Sequence, residues 1–361
     1  MRGEAPIRDV RARAYTIPTD RPESDGTLQW SSTGLVVVEV AAGGEKGLGY
    51  TYGPPAVASV VSAALAPVLD DMEALDVPAA WTAMIGRIRN MGRPGLASMA
   101  VAACDIALHD LKARLLDLPL CRLLGQVRPR VPVYGSGGFT SYSDAELAAQ
   151  MGGWADQGLK AAKMKVGREP GRDAARVRVA RDAAPGVELM VDANGAYSQK
   201  QAVLLAQDFA ALGVDWFEEP VSSDDRAGLG LLRQAVPPGM EITAGEYGYD
   251  LPYFRDMAAA VDVLQADATR CAGFSGFLMV DALAHAHQLP LSSHTAPAAH
   301  LHVACASLRL RHMEWFHDHV RIEHMLFDGA PDPRDGAVTP DLSRPGHGLR
   351  LREDAAERYA A

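Results

Sequence analysis

From about residue 128, short strand-like runs alternate with alanine-rich helical stretches at a fairly even period. The eight runs are residues 131–135, 161–166, 188–192, 216–219, 241–244, 263–266, 289–293 and 313–316. Strands that alternate with helices build βαβ units and a parallel sheet. Because eight such strands favour closure over an open sheet, we predict the α/β class, with a modified (β/α)7β TIM-type barrel.

The residues before this repeat predict a small N-terminal α+β capping domain. Residues 34–40 are rich in β-branched side chains, and Tyr15 and Thr16 indicate an earlier strand, so a short antiparallel sheet is the simplest arrangement. Helical periodicity follows over about 55–70 and 99–116. We therefore predict a capping domain over 1–127, a barrel over 128–325 and a C-terminal segment over 326–361 that returns toward the capping domain.

Charge and hydropathy exclude several classes of partner. The formal net charge is −10 and no Lys/Arg block is present, so we expect no nucleic-acid partner. The longest apolar runs are far too short to span a membrane, and the charged N-terminal stretch does not resemble a secretory signal. Four scattered cysteines without a C-x-x-C pair are expected to be buried free thiols in a reducing, cytoplasmic setting. They are Cys104, Cys121, Cys271 and Cys305.

Ionisable residues end nearly every predicted strand of the barrel. In barrels of this type the active site lies where the strands end and the following loops begin. Side chains from successive strand ends should therefore meet at one rim. The residues are Lys163, Lys165, Asp192, Glu218, Glu219, Glu246, Asp267, His294 and Glu314.

Three of these strand ends, on consecutive strands, each supply a carboxylate. Asp192 and Glu218 are 26 positions apart, and Glu218 and Glu246 are 28 positions apart, about one βα repeat each time. Three neighbouring carboxylates in a partly dry site repel one another unless a cation lies between them. Because all the ligands are oxygens, we predict Mg²⁺. The alternative is three solvated loop acids that bind nothing.

Lys163 and Lys165 form a Lys-x-Lys pair at the end of the second strand. Alternation along a strand puts both side chains on one face, pointing into the barrel mouth. Two adjacent ammonium groups lower each other's pKa, which would make one lysine a usable base near neutral pH. The alternative is a surface lysine pair, which the flanking apolar residues disfavour.

His294 and Asp267 end neighbouring strands and are 27 positions apart. An adjacent carboxylate can orient an imidazole, fix its tautomer and support its protonated form, so His294 is a candidate second base. A lone histidine is more often structural, and we interpret His300 and His302 in the following helix as packing or subunit-contact residues.

Seven strings in the chain, in order and at repeat spacing, resemble one known family. They are KAAKMKVG, VDANGAY, WFEEP, ITAGE, LQADATRCAG, SSHTAP and MEWF. Together they are similar to the mandelate racemase subgroup of the enolase superfamily, and the similarity covers essentially the whole chain. Members of that superfamily combine a Lys or His base with Mg²⁺ that stabilises an enediolate.

The resemblance implies a role for each matching residue. Asp192, Glu218 and Glu246 match the metal ligands. Lys165 matches the base on one face of the substrate, with Lys163 as the neighbour that tunes it and touches the substrate carboxylate. The remaining matches are the His294–Asp267 dyad on the other face, Glu314 as an acid that, if protonated, hydrogen-bonds the enolate, and Asn194 at a substrate-contact position.

Two further substrate contacts are predicted with less support from the motifs. Ser136 ends the first strand, and Trp30 lies in residues 17–33, a polar stretch predicted as a loop over the barrel mouth. Residues 49–54 are a second such loop. The polar character of residues 17–33 suits a hydroxylated ligand better than an aromatic one.

The resemblance implies a Mg²⁺-dependent enzyme that removes the α-proton of a small carboxylate substrate. The favoured hypothesis is a lyase that dehydrates a sugar acid to a 2-keto-3-deoxy acid. A racemase or epimerase of a 2-hydroxy acid is the alternative, and a catalytically silent binding relative is a third possibility. Family members commonly form even-numbered assemblies, so we expect a homo-oligomer.

Overall fold

The computed structural model describes residues 4–361, and an antiparallel sheet of three strands opens the chain. The strands are β1 (Ile7–Ser24), β2 (Gln29–Ala42) and β3 (Glu45–Tyr52). Residues 17–33 and 49–54, predicted as loops, therefore lie mostly in strands, and only residues 25–28 form the hairpin turn. This prediction was wrong because β1 and β2 continue past the apolar core of the sheet, where their polar side chains give no strand-like alternation.

Helices pack one face of this sheet and complete the capping domain. The longest, α4, lies against β3, where Gly47 and Gly49 let the helix backbone approach closely: a Cβ on Gly49 would lie 2.1 Å from the Ala103 oxygen. The helical segments are α1 (Ala56–Val60), a π-helix (Val61–Leu65), α2 (Ala66–Leu69), α3 (Val77–Arg87), a 3₁₀ turn (Ile88–Asn90), α4 (Leu96–Leu115) and α5 (Leu120–Leu124).

Eight parallel strands then close into a barrel, which confirms the predicted capped TIM-type fold. They are β4 (Val131–Gly137), β5 (Ala161–Lys165), β6 (Glu188–Asp192), β7 (Val214–Glu218), β8 (Glu241–Ala244), β9 (Val263–Ala266), β10 (Leu291–Ser293) and β11 (Leu310–Phe316). Closure is direct, because β11 pairs with β4 from Met313 opposite Val133 to Phe316 opposite Ser136. The predicted strand ends differ from the observed ones by at most three residues.

A helix follows each strand and covers the outside of the barrel. The helices are α6 (Asp144–Asp156), α7 (Pro170–Ala183), α8 (Gln199–Ala211), α9 (Arg226–Ala235), α10 (Leu251–Met257), α11 (Gly273–Ala286), α12 (Pro297–Ala306) and α13 (His317–Leu326). Ser143 and Ser198 start α6 and α8 with complete capping boxes. Inside the barrel, Tyr134, Met190 and Trp216 are fully buried, so the lower part of the barrel is a packed core.

The last segment closes the bottom of the barrel and then reaches the capping sheet. Its elements are β12 (Phe327–Asp328), β13 (Ala337–Val338), β14 (Arg350–Leu351), α14 (Glu353–Ala356) and a 3₁₀ turn (Glu357–Tyr359). β13 pairs with the start of β4, and the Ala361 amide donates to the Ala14 carbonyl in β1. These contacts fit the predicted three-part division of the chain, which stays a prediction.

Two smaller predictions concern cysteines and membranes. All four cysteines are free and buried, as predicted. Within residues 4–361, no helix combines the length and the apolar character needed to cross a membrane.

Candidate active site

The carboxyl ends of the barrel strands bring the predicted catalytic and metal-binding residues to one rim. The parallel register places Lys165 beside Asp192, and Asp192 beside Glu218. All eight of these predicted side chains are at most 6% exposed, so they form a nearly dry site rather than a solvated acidic surface. They are Lys163, Lys165, Asp192, Glu218, Glu246, Asp267, His294 and Glu314.

Asp192, Glu218 and Glu246 form a carboxylate cluster. Each offers one oxygen, and these three oxygens lie within 4.8 Å of one another. Burial argues against three solvated loop acids, because buried like charges repel strongly. Glu246 Oε2 is buried and makes no hydrogen bond among the described residues, although His294 Nε2 lies 3.3 Å from it. An oxygen-only cluster of buried carboxylates fits a hard cation such as Mg²⁺.

The two lysines are held by the acids around them. Lys165 Nζ lies 2.5 Å from Asp192 Oδ2, and Lys163 Nζ lies 2.6 Å from Glu218 Oε1. Burial lowers the pKa of Lys163, but the surrounding carboxylates, Glu218 foremost, raise it well above its ordinary value. Burial, the largest effect, and the Lys163 charge lower the pKa of Lys165, yet the carboxylates of Asp192, Glu246 and Glu218 together raise it above its ordinary value. The predicted lowering of a lysine pKa is therefore wrong for the protein without a cation.

His294 and Asp267 form the predicted pair. His294 Nδ1 lies 2.9 Å from Asp267 Oδ2, and Asp267 Oδ1 accepts from the Thr269 amide at 2.7 Å. Burial lowers the pKa of His294, but Glu246 and Asp267 together raise it above its ordinary value. Burial raises the pKa of Asp267, but the hydrogen bond and the charge of His294 hold it well below its usual range. The carboxylate thus orients the ring and favours the imidazolium.

The order of the strands sets the geometry of the rim. The carboxylate cluster occupies β6 and β7 and the loop after β8, and Glu314 lies across the barrel on β11. A line from the cluster to Glu314 divides the rim into two sides. Lys165 comes from β5 on one side, and His294 follows β10 on the other side. Two groups able to move a proton therefore lie on opposite sides of the rim, while Lys163 Nζ bridges Glu218 and Glu314 at 2.6 and 2.9 Å.

Glu314 accepts two hydrogen bonds and forms an ion pair with Lys163. Ser136 Oγ donates at 2.6 Å and the Thr295 amide at 2.8 Å, while Lys163 Nζ lies 2.9 Å away. Burial raises the pKa of Glu314, but the charges of Lys163 and His294 hold it below its usual range. The sequence suggested a protonated Glu314, but these contacts favour its carboxylate form. Ser136 is fully buried and is placed against Glu314.

Asn194 lies at the edge of the carboxylate cluster. Its backbone amide donates to Asp192 Oδ1 at 2.9 Å. Its φ of +45° is in the left-handed region, which asparagine tolerates better than most residues. Asn194 Oδ1 is buried without a hydrogen-bond donor among the described residues, so this acceptor is free for a ligand.

The β1–β2 hairpin lies over the rim as a lid. Ser24 Oγ is 2.6 Å from Thr140 Oγ1, in the loop after β4. Gly26 packs so closely on the loops after β5 and β6 that a Cβ there would lie 2.4 Å from the Ala193 oxygen. Trp30 is half-buried in this hairpin, and its Nε1 donates to Glu23 Oε2 at 2.8 Å.

Two residues at the rim were missed from the sequence. Arg270 donates to the Glu246 backbone oxygen at 3.0 Å, and its Nε lies 3.7 Å from Asp267 Oδ2, so it links the metal cluster to the dyad. Its place three residues after Asp267 was the available signal. His319 stacks on Tyr52 of the capping sheet with ring centroids 3.4 Å apart, a contact between distant segments that no local pattern reveals.

Family comparisons agree with this geometry. Residues 10–125 match the family described as mandelate racemase/muconate lactonizing enzyme, N-terminal domain, and residues 145–355 match the family described as enolase C-terminal domain-like. The chain belongs to the enolase superfamily. Within it, both matches place the chain in the mandelate racemase/muconate lactonizing enzyme family, which confirms the resemblance noted from the seven strings.

Individual relatives are similar over their whole length. A mandelate racemase/muconate lactonizing enzyme-like protein from Rubrobacter xylanophilus has a crystal structure with a TM-score of 0.97 and 54% identity, covering 99% of this chain and 100% of that one. The 3,6-anhydro-alpha-L-galactonate cycloisomerase of Streptomyces coelicolor is 33% identical over 98% of this chain and 99% of its own length.

A third relative has a crystal structure with a metal and a ligand. It is the L-talarate/galactarate dehydratase of Salmonella typhimurium, liganded with Mg and L-lyxarohydroxamate. The TM-score is 0.90 at 27% identity, and the match covers 99% of this chain and 93% of the dehydratase. The relatives of this chain thus include both a dehydratase and a cycloisomerase.

Proposed function

We propose that this chain is a lyase that dehydrates a sugar acid to a 2-keto-3-deoxy acid. The observation that carries the proposal is the placement of Lys165 and His294 on opposite sides of the rim that holds the carboxylate cluster. A β-elimination needs one group to take the α-proton and another to protonate the leaving hydroxyl. The dehydratase relative supports this choice of reaction.

Asp192, Glu218 and Glu246 would hold a Mg²⁺ ion. When bound, the ion supplies Lewis-acid stabilisation of the negative charge that develops on the substrate carboxylate. The closeness of the three buried carboxylates and the Mg in the Salmonella relative support this assignment.

The side chains of this protein divide the proton transfers between them. Lys165 takes the α-proton as a neutral amine, a form that would be favoured once a cation held by the cluster offsets the charge of Asp192, which raises the pKa of Lys165. Lys163 donates to the substrate carboxylate from a position fixed by Glu314 and Glu218. His294, held as an imidazolium by Asp267, gives its proton to the β-hydroxyl, so that the C–O bond breaks and water leaves. The enol that remains then becomes the 2-keto acid. Asn194 offers its free oxygen to a substrate hydroxyl.

Racemisation or epimerisation stays the second candidate function. The same pair of groups could take a proton from one face of the α-carbon and return one to the other face. One relative is named a cycloisomerase, which is a kind of isomerase, and this supports the alternative. What stands on the β-carbon of the substrate would decide between the two outcomes.

An assay with a panel of sugar acids tests the proposal. The protein with Mg²⁺ is incubated with aldonates and aldarates in D₂O, and 2-keto acids are detected with semicarbazide. We expect keto acid from at least one of them. A 2-hydroxy acid recovered with deuterium at the α-carbon, and no keto acid from any sugar acid, would replace dehydration with racemisation.

Replacing His294 by Asn should separate the two proton transfers. Keto-acid formation is expected to fall by about 10²-fold, because the general acid is lost. Exchange of the α-proton with solvent deuterium should continue, since Lys165 is intact. His287→Asn, an exposed histidine after α11, is the control. Equal loss of exchange and product in His294→Asn would contradict the assigned roles.

Replacing Gly26 by Ala should lift the lid from the rim. The new Cβ would meet the backbone oxygen of Ala193, and relief of such overpacking costs about 1–3 kcal/mol. We expect KM for the substrate to rise about tenfold, with a smaller change in kcat. Gly153→Ala in α6, where nothing lies within 4 Å of the new Cβ, is the matched control. An unchanged KM in Gly26→Ala would show that the hairpin does not cover the bound substrate.

A further inference from the structure

A second cluster of side chains able to bind a metal lies where the lid meets the barrel. Asp20, Glu23 and His317 each offer one ligand atom, and these three atoms lie within 4.8 Å of one another. Asp20 and Glu23 belong to β1, whereas His317 begins α13 directly after β11. The cluster therefore joins the lid to the strand that carries Glu314, and the roles assigned above leave it unused.

An irregularity in β1 brings the two acids of this cluster together. Residues 20 and 23 are three positions apart, so on a regular strand their side chains would point to opposite faces of the sheet. β1 is paired with β2 up to Pro18 and again from Glu23, and the register shifts between these residues. Such irregularities redirect side chains and recur next to functional sites. Here the shift lets Asp20 and Glu23 reach the same histidine.

Glu23 is the buried member of the cluster. It is fully buried, Trp30 Nε1 donates to its Oε2 at 2.8 Å, and its Oε1 has no hydrogen-bond partner among the described residues. The guanidinium of Arg321 is engaged by Asp318 at 2.6 Å and by the Pro18 oxygen at 2.7 Å. A buried polar atom without a partner costs free energy, which contact with a cation would offset.

Asp20 and His317 form the accessible side of the cluster. His317 Nε2 lies 3.1 Å from Asp20 Oδ2. Two ligands on neighbouring corners of a zinc ion, with bonds of about 2.0–2.1 Å, have a similar separation. Both residues line an open cleft of about 570 Å³ between the lid and α6. An ion could therefore enter from solvent and keep a water molecule as a further ligand.

A histidine beside an aspartate does not by itself indicate a metal. His324, on the same helix, lies 3.0 Å from Asp332 Oδ1. Within residues 4–361, no third ligand joins that pair closely enough to hold an ion. The buried carboxyl of Glu23 is what distinguishes the cluster at His317 from such a surface ion pair.

Ligand type and charge favour a dication of the zinc class. Burial and the nearby Asp318 raise the pKa of Glu23 to about 8, so the acid holds a proton when no cation is present. A bound cation takes the place of that proton, since carboxylates bind metals in their deprotonated form. Two carboxylates and a neutral imidazole then match the charge of a dication. An imidazole nitrogen suits Zn²⁺ better than Mg²⁺, which prefers oxygen ligands.

We propose that Asp20, Glu23 and His317 bind a second metal ion, Zn²⁺ or a similar dication, which latches the lid to the start of α13. Two ligands would come from the lid and one from the barrel, so the lid could swing away only after the ion had lost a ligand. The site is separate from the carboxylate cluster of the rim and does not depend on which reaction the rim carries out.

Zinc binding to the full chain tests the site. Crystals soaked in Zn²⁺ should give an anomalous diffraction peak between Asp20, Glu23 and His317. Titration should find two zinc ions per chain, because Zn²⁺ also fits the carboxylate cluster. His317→Ala should lose one of the two ions, and so should Asp20→Asn, a change at an exposed position.

Two further variants are the controls for this count. His324→Ala breaks the other pair of a histidine and an aspartate on α13 and should keep both zinc ions. Glu218→Gln should lose the ion of the rim and keep the ion of the lid. The two sites can thus be removed one at a time.

Hydrogen exchange in the hairpin measures the latch itself. With Zn²⁺ at about ten times its Kd, exchange at the amides of residues 19–28 should slow by about tenfold in the wild type, because only the ion-free lid can open. The rate should not respond to Zn²⁺ in His317→Ala. Zinc bound only at the rim, or a zinc count that neither His317→Ala nor Asp20→Asn lowers, would overturn the site. An ion bound at His317 that leaves exchange in the hairpin unchanged would overturn the latch.

Discussion

Replacement of Lys165 by methionine is expected to abolish both proton exchange and product formation, lowering kcat by at least about 10³-fold. Methionine fills a similar volume but has no basic nitrogen, and Lys165 is the group assigned to take the α-proton. The side chain is 6% exposed, and its Nζ lies 2.5 Å from Asp192 Oδ2. The barrel should remain folded, because methionine suits a dry site.

The control for this change is Lys160→Met. Lys160 is an exposed lysine just before the same strand, so its replacement repeats the chemistry outside the site. Rates in Lys160→Met should equal those of the wild type. Measurement of α-deuterium incorporation by NMR decides the assignment: exchange in Lys165→Met at the wild-type rate would show that another group removes the proton.

Chelation of Mg²⁺ is expected to stop turnover completely and to lower the melting temperature. A ligand bound only by the folded state stabilises it by about 2.7 kcal/mol at about 100 times its Kd. The protein should nevertheless stay folded without the ion, because Lys163 and Lys165 partly neutralise the three acids. Thermal unfolding with EDTA and with added Mg²⁺ measures this effect independently of activity.

A variant of one acid links that stabilisation to the cluster. Glu218→Gln should lose most of the rise in melting temperature caused by Mg²⁺, since it removes one of three anionic oxygens. Glu188→Gln, at the start of the strand that ends in Asp192, should retain the full rise. Equal stabilisation of both variants, or activity that survives chelation, would place the metal elsewhere.

The barrel was predictable because its signals are local and repeated. Each strand from β4 to β11 is short, and most carry an ionisable residue at their carboxyl end or within two positions of it, so the position in the repeat fixes the rim that this residue reaches. The capping hairpin was not predictable in the same way. Residues 17–33 have no alternating pattern because the strands extend past their own core, so only the partner strand and the barrel loops specify their structure.

The same distinction separates the parts of the site that sequence reasoning found from those that it missed. The carboxylate cluster was predicted from spacing, charge and the family resemblance, and β6 and β7 are indeed in register at Asp192 and Glu218. The pKa of Lys165 could not be predicted in this way. The sequence shows that Lys163 is nearby, but it does not show the contact with Asp192. Charges that meet only in three dimensions reversed the predicted direction.

β1 pairs with β2 up to Pro18 and again at Glu23 and Ser24, with an irregularity between, so the tip of the lid is a paired hairpin and not a loop. A loop can uncover a site by losing order locally, at low cost. A hairpin with paired strands opens by swinging as a body about its attachment to the sheet, on the microsecond-to-millisecond scale of such motions. Admission and release of ligands are therefore tied to the rigidity of the capping sheet, even though its strands contribute none of the groups that move protons.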